Sequence, residues 1–168
     1  MIQKIFVIVF LYIVSLFQLS LAGEWLRFRG ENGQGISPNT VPINWSEKKN
    51  MKWKCKLPGP GSSSPVISKG KVFVTCFSGV NEGQQDTSRL LRHVLCINKE
   101  DGSIVWEDKI KATQPEDPYR GFLTEHGYAS NTPVIDSGRL FVYLGKSGIH
   151  AYDLNCKKLW SKNLGTGS

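Results

Sequence analysis

Glu125 and His126 are the neighbouring side chains best suited to chemistry in this sequence. An imidazole takes up and releases a proton near neutral pH, and it also binds metal ions. The pair is therefore a candidate acid/base or metal site in a long loop. His93 and His150 have no metal-ligand spacing to His126 or to each other. A hydrogen-bonded structural role for His126 is the alternative.

Other catalytic motifs are not found in the sequence. There is no Ser/His/Asp motif, and Gly30, Gly33 and Gly35 lack the strand-then-helix context of a phosphate-binding loop. We therefore expect no catalytic residue, and no cofactor or metal site is evident.

Four cysteines, Cys55, Cys76, Cys96 and Cys156, form an even set that allows three disulfide pairings. Cys76 and Cys96 fall in segments expected to form neighbouring strands, so they are the favoured pair. Buried free thiols that act as small hydrophobic groups are the alternative. No Cys-x-x-Cys spacing occurs, so neither a zinc site nor a thioredoxin-type motif is indicated.

Residues 1–22 have the pattern of a secretory signal peptide. Lys4 precedes a mainly apolar run from Ile5 to Phe17, and small residues precede a cleavage point after Ala22. An uncleaved anchor helix is the alternative. Cleavage would leave a periplasmic or secreted chain of 146 residues without a stable membrane span.

The charge pattern argues against a nucleic-acid partner. The chain carries 21 Lys and Arg against 14 Asp and Glu, but these charges are scattered along it. Nucleic-acid binding favours a concentrated basic surface. The lysines from Lys48 to Lys56 come closest to one, and their alternation suits the solvated face of a strand.

Trp53, Trp106 and Trp160 mark a repeat, because they stand 53 and 54 residues apart in similar surroundings. Each of the first two is followed by a Ser/Thr-Pro-Val-Ile segment and then by a Gly-Lys/Arg turn with an apolar run. A self-similar period of this length indicates a propeller, solenoid or array. Large flat indoles could fill the wedge between successive units.

The clearest repeat unit, residues 131–164, predicts four short strands. Its apolar runs 132–135, 139–144, 149–154 and 157–163 are separated by turn residues. Such an antiparallel meander cannot bury both faces alone, so neighbouring units must stack. The predicted fold is all-β, a β-propeller of four-stranded antiparallel blades.

The segment from Cys96 to Trp106 resembles the Ala-x-Asp-x-x-Thr-Gly-x-x-x-Trp repeat of pyrroloquinoline-quinone (PQQ)-like β-propellers. Gly102 and Trp106 match it, and the next copy keeps Ala151, Asp153 and Trp160 but places Cys156 where Gly is expected. Residues 25–37 resemble the opening of secreted bacterial propellers of this group. In this interpretation Trp53, Gly102, Trp106, Asp153 and Trp160 are structural residues of the blade motif.

The repeat count predicts an incomplete propeller. Residues 23–52 lead into about two blades within residues 53–168, and the last residues echo the start of the first blade. We therefore expect an N-terminal fragment of a longer protein. Two blades that oligomerise into a ring are the alternative.

The resemblance implies two functions. The first is an exported scaffold that binds other envelope proteins, similar to the propeller lipoproteins of outer-membrane barrel assembly, although their lipid-attachment Cys is missing here. The second is a periplasmic PQQ-dependent oxidoreductase with PQQ and calcium, whose cofactor residues would lie beyond this chain. The adjacent Cys-Cys pair common in such enzymes does not occur here. Repeats of this kind specify blades rather than chemistry.

Overall fold

The computed structural model describes residues 23–165, which form two four-stranded antiparallel sheets. Sheet 1 has the order β1 (Val66–Ser68), β2 (Lys71–Ser78), β3 (Leu91–Asn98), β4 (Ile104–Lys111). Sheet 2 has the order β5 (Val134–Asp136), β6 (Arg139–Tyr143), β7 (Ile149–Asp153), β8 (Lys158–Lys162). A short helix, α1 (Phe122–His126), precedes sheet 2, and a 3-10 turn (Gly145–Ser147) joins β6 to β7.

The all-β prediction is confirmed, and the predicted four-strand meander of residues 131–164 is present as sheet 2. Neither sheet closes on itself within residues 23–165. The predicted signal peptide, residues 1–22, lies outside the described residues, as do residues 166–168.

The repeat is visible in the turns of both sheets. The β1–β2 turn has Lys69 and Gly70 at φ 48° and 73°, and the β5–β6 turn has Ser137 and Gly138 at φ 47° and 72°. Two successive positive φ values define the hairpin turn whose twist matches that of the flanking strands. The same backbone therefore occurs at the same place in both repeats.

The turn before each last strand also repeats, although its residues differ. Gly102 has φ 75°, and Cys156, at the expected glycine position, has φ 70°. A non-glycine residue in this left-handed region is strained by about 1 kcal/mol. Asp153 Oδ1 compensates by accepting hydrogen bonds from Asn155 N and Lys157 N, both at 2.9 Å.

The main core lies between the two sheets. Phe73, Cys96 and Trp106 of sheet 1 pack against Leu140 and Tyr152 of sheet 2 within one apolar cluster. The Trp106 and Tyr152 rings meet edge to face, with centroids 5.2 Å apart. Since neighbouring residues of a strand point to opposite faces, each sheet also has a face directed away from this core.

The far face of sheet 1 is covered by the chain that leads into it. Val72, Val74 and Cys76 lie on this face, together with Leu95 and Ile97, and residues 53–57 pack against them. Trp53 Nε1 donates to Lys99 O at 2.8 Å, and the Trp53 ring fills the space that a Cβ on Gly102 would need. A side chain at position 102 would therefore displace the indole.

The N-terminal segment, residues 23–52, is irregular and mostly exposed, but it joins the two sheets at one edge. Trp25 exchanges two backbone hydrogen bonds of 2.8 Å with Ile67, beside β1. Leu26 O accepts from Ile135 N of β5 at 2.7 Å, and the Leu26 side chain packs on the inter-sheet core. These hydrogen bonds link the first strand of sheet 1 to the first strand of sheet 2.

The open face of sheet 2, which points away from sheet 1, is not covered by residues 23–165. It consists of Val134, Phe141, Tyr143, Ala151 and Trp160, which share a face by strand register. Trp160 is 45% exposed, and Val134 and Tyr143 are each 40% exposed. Trp106, at the matching repeat position, is packed against sheet 2.

The two repeat tryptophans should therefore differ in their contribution to stability. Trp106→Ala removes an indole from the inter-sheet core and should lower the free energy of unfolding by about 3 kcal/mol. Trp160→Ala should cost less, about 1 kcal/mol, because nearly half of this residue is exposed in the isolated chain. Urea unfolding followed by circular dichroism measures both, and equal losses would contradict the assigned packing.

Candidate functional site

Three side chains of sheet 1 form a hydrogen-bonded relay on the far face. Ser78 Oγ lies 2.7 Å from His93 Nε2, and His93 Nδ1 lies 2.6 Å from Glu107 Oε1. A hydroxyl on one ring nitrogen and a carboxylate on the other is the order of a nucleophile, a general base and an orienting acid. The geometry is therefore that of a Ser–His–Glu relay.

Strand register brings these residues together. Cys76 is opposite His93 between β2 and β3, so Ser78, two residues later, is diagonal to the histidine on the same face. Between β3 and β4, Lys109 is opposite His93, which makes Glu107 its other diagonal neighbour. Diagonal neighbours on a sheet face lie within reach of long side chains.

The environment of Glu107 favours its ionised form. Burial raises the pKa of Glu107, but hydrogen bonds from His93 and Lys109 outweigh it, so the net pKa is below its ordinary value. An ionised carboxylate only accepts hydrogen bonds. In the neutral imidazole, the nitrogen that faces this carboxylate, Nδ1, is therefore the one that donates, which leaves Nε2 to accept from the Ser78 hydroxyl. Lys109 Nζ, 3.2 Å from Glu107 Oε2, adds a flanking positive charge.

Burial differs along the relay. His93 is 3% exposed, whereas Ser78 is partly exposed at the end of β2, before the loop 79–90. The imidazole is therefore shielded from competing water, while the hydroxyl lies where the strand meets solvent. The cavities beside Lys71, Glu116 and Trp25 are lined by other side chains.

The sequence analysis missed this relay. Ser78, His93 and Glu107 are 15 and 14 residues apart, which matches no local motif. The signal that the sequence offered was weaker. Each of the three is a polar residue in, or at the end of, a segment that is expected to form a strand. The pairing register was needed to bring them onto one face.

Glu125 and His126 are not brought to this relay or to a common ligand. Both are exposed in α1, and the His126 ring contacts the Phe122 ring at a tilt, with centroids 4.5 Å apart. No group of three or more His, Cys, Asp or Glu side chains that could hold a metal ion is found in residues 23–165. The acid/base or metal role of this pair stays a prediction.

A buried ion pair fastens the long loop 112–133 to sheet 1. Arg92 and Glu116 are 2% and 5% exposed at their side chains and lie 2.8 Å apart. Arg92 also donates to Tyr128 O at 2.9 Å and to Ser147 Oγ at 3.0 Å. Each guanidinium nitrogen therefore has an acceptor, as a buried charge requires. The guanidinium bridges sheet 1, the loop and sheet 2.

A second set of polar contacts, centred on Asp108, joins sheet 1 to sheet 2. Tyr152 donates to Asp108 Oδ2 at 2.7 Å, and Lys158 Nζ lies 2.7 Å from the same oxygen. Burial raises the pKa of Asp108, but these two hydrogen bonds outweigh it and lower the net pKa. A cavity of about 430 Å³ opens between the sheets beside Lys71, Trp106 and Cys156.

The favoured disulfide between Cys76 and Cys96 is not formed, because all four cysteines are free. Cys76 is opposite His93 on the far face of sheet 1, whereas Cys96 is opposite Phe73 on the face toward sheet 2. Their strands are neighbours, as predicted, but the side chains point to opposite faces. The alternative of buried free thiols holds for Cys76, Cys96 and Cys156.

The residues of the predicted blade motif have structural roles in the described chain. Gly102 forms a turn beneath Trp53, Asp153 caps a turn, and Trp106 packs between the sheets. Trp160 holds the matching place on the open face of sheet 2.

Comparisons with known proteins do not assign this chain to a family. No family model matches it, and no curated protein matches it. Within residues 23–165, the structure contains no helix of the length and apolar character needed to cross a membrane.

The cysteine environments predict unequal thiol reactivity. Burial raises the pKa of Cys76 to about 11 and that of Cys96 to about 12, which keeps both as unreactive thiols at neutral pH. Titration of the native protein with Ellman's reagent should modify only the half-buried Cys55 rapidly, and the other three after denaturation. An intact mass that rises by two hydrogens on reduction would show a disulfide instead.

Proposed function

We propose that this chain is an exported scaffold of the PQQ-like β-propeller type, with sheets 1 and 2 as its blades, and that it binds by stacking a further β-sheet. The observation that carries the proposal is the uncovered apolar face of sheet 2. The internal repeat indicates what that face is suited to bind.

By the repeat, the open face of sheet 2 corresponds to the face of sheet 1 that is buried in the core between the sheets. Phe73, Cys96 and Trp106 pack against sheet 2, and the matching residues of sheet 2 are Phe141, Ala151 and Trp160. The Phe141 and Trp160 rings lie together on the open face, with centroids 6.1 Å apart. A sheet whose facing side resembles Leu140, Val142 and Tyr152 would bury them in the same way.

The occupant is therefore a four-stranded sheet of the same repeat rather than a small molecule or a nucleic acid. The face is broad and apolar, and its edge carries Arg139 and Lys162 instead of a basic groove. Apolar area removed from water is the driving force of such stacking. In the cell envelope, other envelope proteins are the proposed partners.

Self-association of the chain tests this proposal, since the open face of a second copy is an apolar side of a sheet of the same repeat that residues 23–165 leave uncovered. Analytical ultracentrifugation should show concentration-dependent association that Trp160→Lys abolishes, because the ammonium would be desolvated at the interface. Trp45→Lys is the matched control, as Trp45 is 72% exposed and remote from sheet 2 in sequence. A monomeric wild-type chain at every concentration, or equal effects of both variants, would contradict the proposal.

Export is tested separately. Expressed in a Gram-negative host, the chain should be recovered from the periplasm or medium with Gly23 as its first residue, as N-terminal sequencing would show. An intact N-terminus in the membrane fraction would favour the uncleaved anchor.

A further inference from the structure

We propose that Ser78 is a nucleophile activated by His93 and Glu107, and that it accepts acyl groups from small activated esters. This site is independent of the proposed stacking, because it lies on the far face of sheet 1 and the open face belongs to sheet 2.

The first support is the order of the contacts. Ser78 Oγ meets Nε2 at 2.7 Å, and Glu107 Oε1 meets Nδ1 at 2.6 Å, so the two bonds use different ring nitrogens. In this tautomer the lone pair of Nε2 is directed at the hydroxyl proton. A nucleophile and its general base lie within hydrogen-bond reach of each other, with the base oriented by a third group, and Ser78, His93 and Glu107 meet this condition.

The second support is the way in which the imidazole is held. Its atoms are buried, and Glu107 is fixed in turn by Lys109, so the ring orientation is set by two partners on neighbouring strands. Sites built on strands hold side chains more closely than sites on mobile loops. Glu107 is thus a positioning residue, and His93 is the base that touches the reacting oxygen.

The surface around Ser78 limits the substrate class. The segment 53–61 crosses the far face, with Pro60 O accepting from Phe77 N at 2.9 Å, so the chain passes close to the end of β2. Ser78 is only partly exposed beside this segment, so there is little room at its hydroxyl for a large substrate. Small esters with a good leaving group fit these conditions.

The reaction balances with the ester and water alone. Ser78 Oγ attacks the acyl carbon while His93 Nε2 takes the hydroxyl proton, and the bond from acyl carbon to leaving oxygen breaks. The imidazolium returns the proton to the departing alkoxide. Water then attacks the acyl carbon and loses a proton to His93, the bond from acyl carbon to Ser78 Oγ breaks, and the imidazolium returns the proton to Oγ. The carboxylic acid is released and the hydroxyl is regenerated.

Covalent labelling of the intact wild-type protein tests the proposal without relying on a variant. A fluorophosphonate forms an Oγ–P bond and releases fluoride, with the proton passing to His93, and peptide mass mapping locates the adduct. We expect the adduct on Ser78. Ser103 is the internal control, because it is exposed and donates to Asp101 Oδ1 at 2.7 Å but has no histidine partner.

Variants then show whether Ser78 reacts because His93 activates its hydroxyl or only because that hydroxyl is exposed. His93→Gln keeps a polar group of similar size but cannot accept the proton, so labelling of Ser78 should slow by about 100-fold, within the usual range of general-base contributions. The rate of p-nitrophenyl acetate hydrolysis should fall in Ser78→Ala by at least as much as labelling falls in His93→Gln. It should remain unchanged in Ser103→Ala. Absence of a Ser78 adduct in the folded wild type, or equal labelling of Ser78 and Ser103, would overturn the proposal.

The outcomes distinguish this inference from the proposed scaffold. Loss of self-association in Trp160→Lys with intact Ser78 labelling would support both proposals as separate properties of two sheets. A failed labelling experiment would leave the stacking result unaffected.

Discussion

The packing of sheet 1 against sheet 2 is the interaction on which the rest of the structure depends. Both sheets carry apolar residues on two faces, so each gains stability wherever one of those faces is covered and removed from water. Phe73, Cys96 and Trp106 supply one half of the shared core, and sheet 2 supplies the other. The far face of sheet 1 is covered by the chain leading into β1, whereas residues 23–165 cover sheet 2 on one side only. The open face, and the stacking proposed for it, follow from this imbalance.

Buried polar groups set the orientation of the two sheets. Apolar packing is non-directional, but the hydrogen bond from Tyr152 to Asp108 and those from Arg92 to the loop and to Ser147 require defined positions. Every guanidinium nitrogen of Arg92 has an acceptor, which offsets the desolvation of a buried charge. Removal of Glu116 alone would leave that charge unpaired, so the long loop is tied to the fold by an electrostatic constraint. The same hydrogen bonds hold the loop 112–133 against the two sheets.

The Ser78–His93–Glu107 relay lies on the far face of sheet 1, which the proposed stacking does not use. His93 is buried on the far face of sheet 1, and its neighbours there come from the strand before it and the strand after it. Such a relay adds little to the apolar core, and its polar atoms are satisfied mainly by one another. The proposed stacking surface on sheet 2 and the proposed nucleophile on sheet 1 can therefore be altered independently, which is why their tests can be read separately.

The sequence by itself determined the local pattern of the chain. The tryptophan spacing, the turn residues and the alternation of apolar residues predicted all-β meanders, and Gly102 and Asp153 occupy the turns that their types favour. The tertiary structure alone decided which side chains meet. Pairing register places Cys76 and Cys96 on opposite faces and gathers Ser78, His93 and Glu107 on one, and stacking makes Trp106 a core residue while Trp160 stays exposed. The physical reason is that turn and strand preferences act over a few residues. Register and stacking instead depend on contacts between residues far apart in the chain, and a shift of one residue reverses every face.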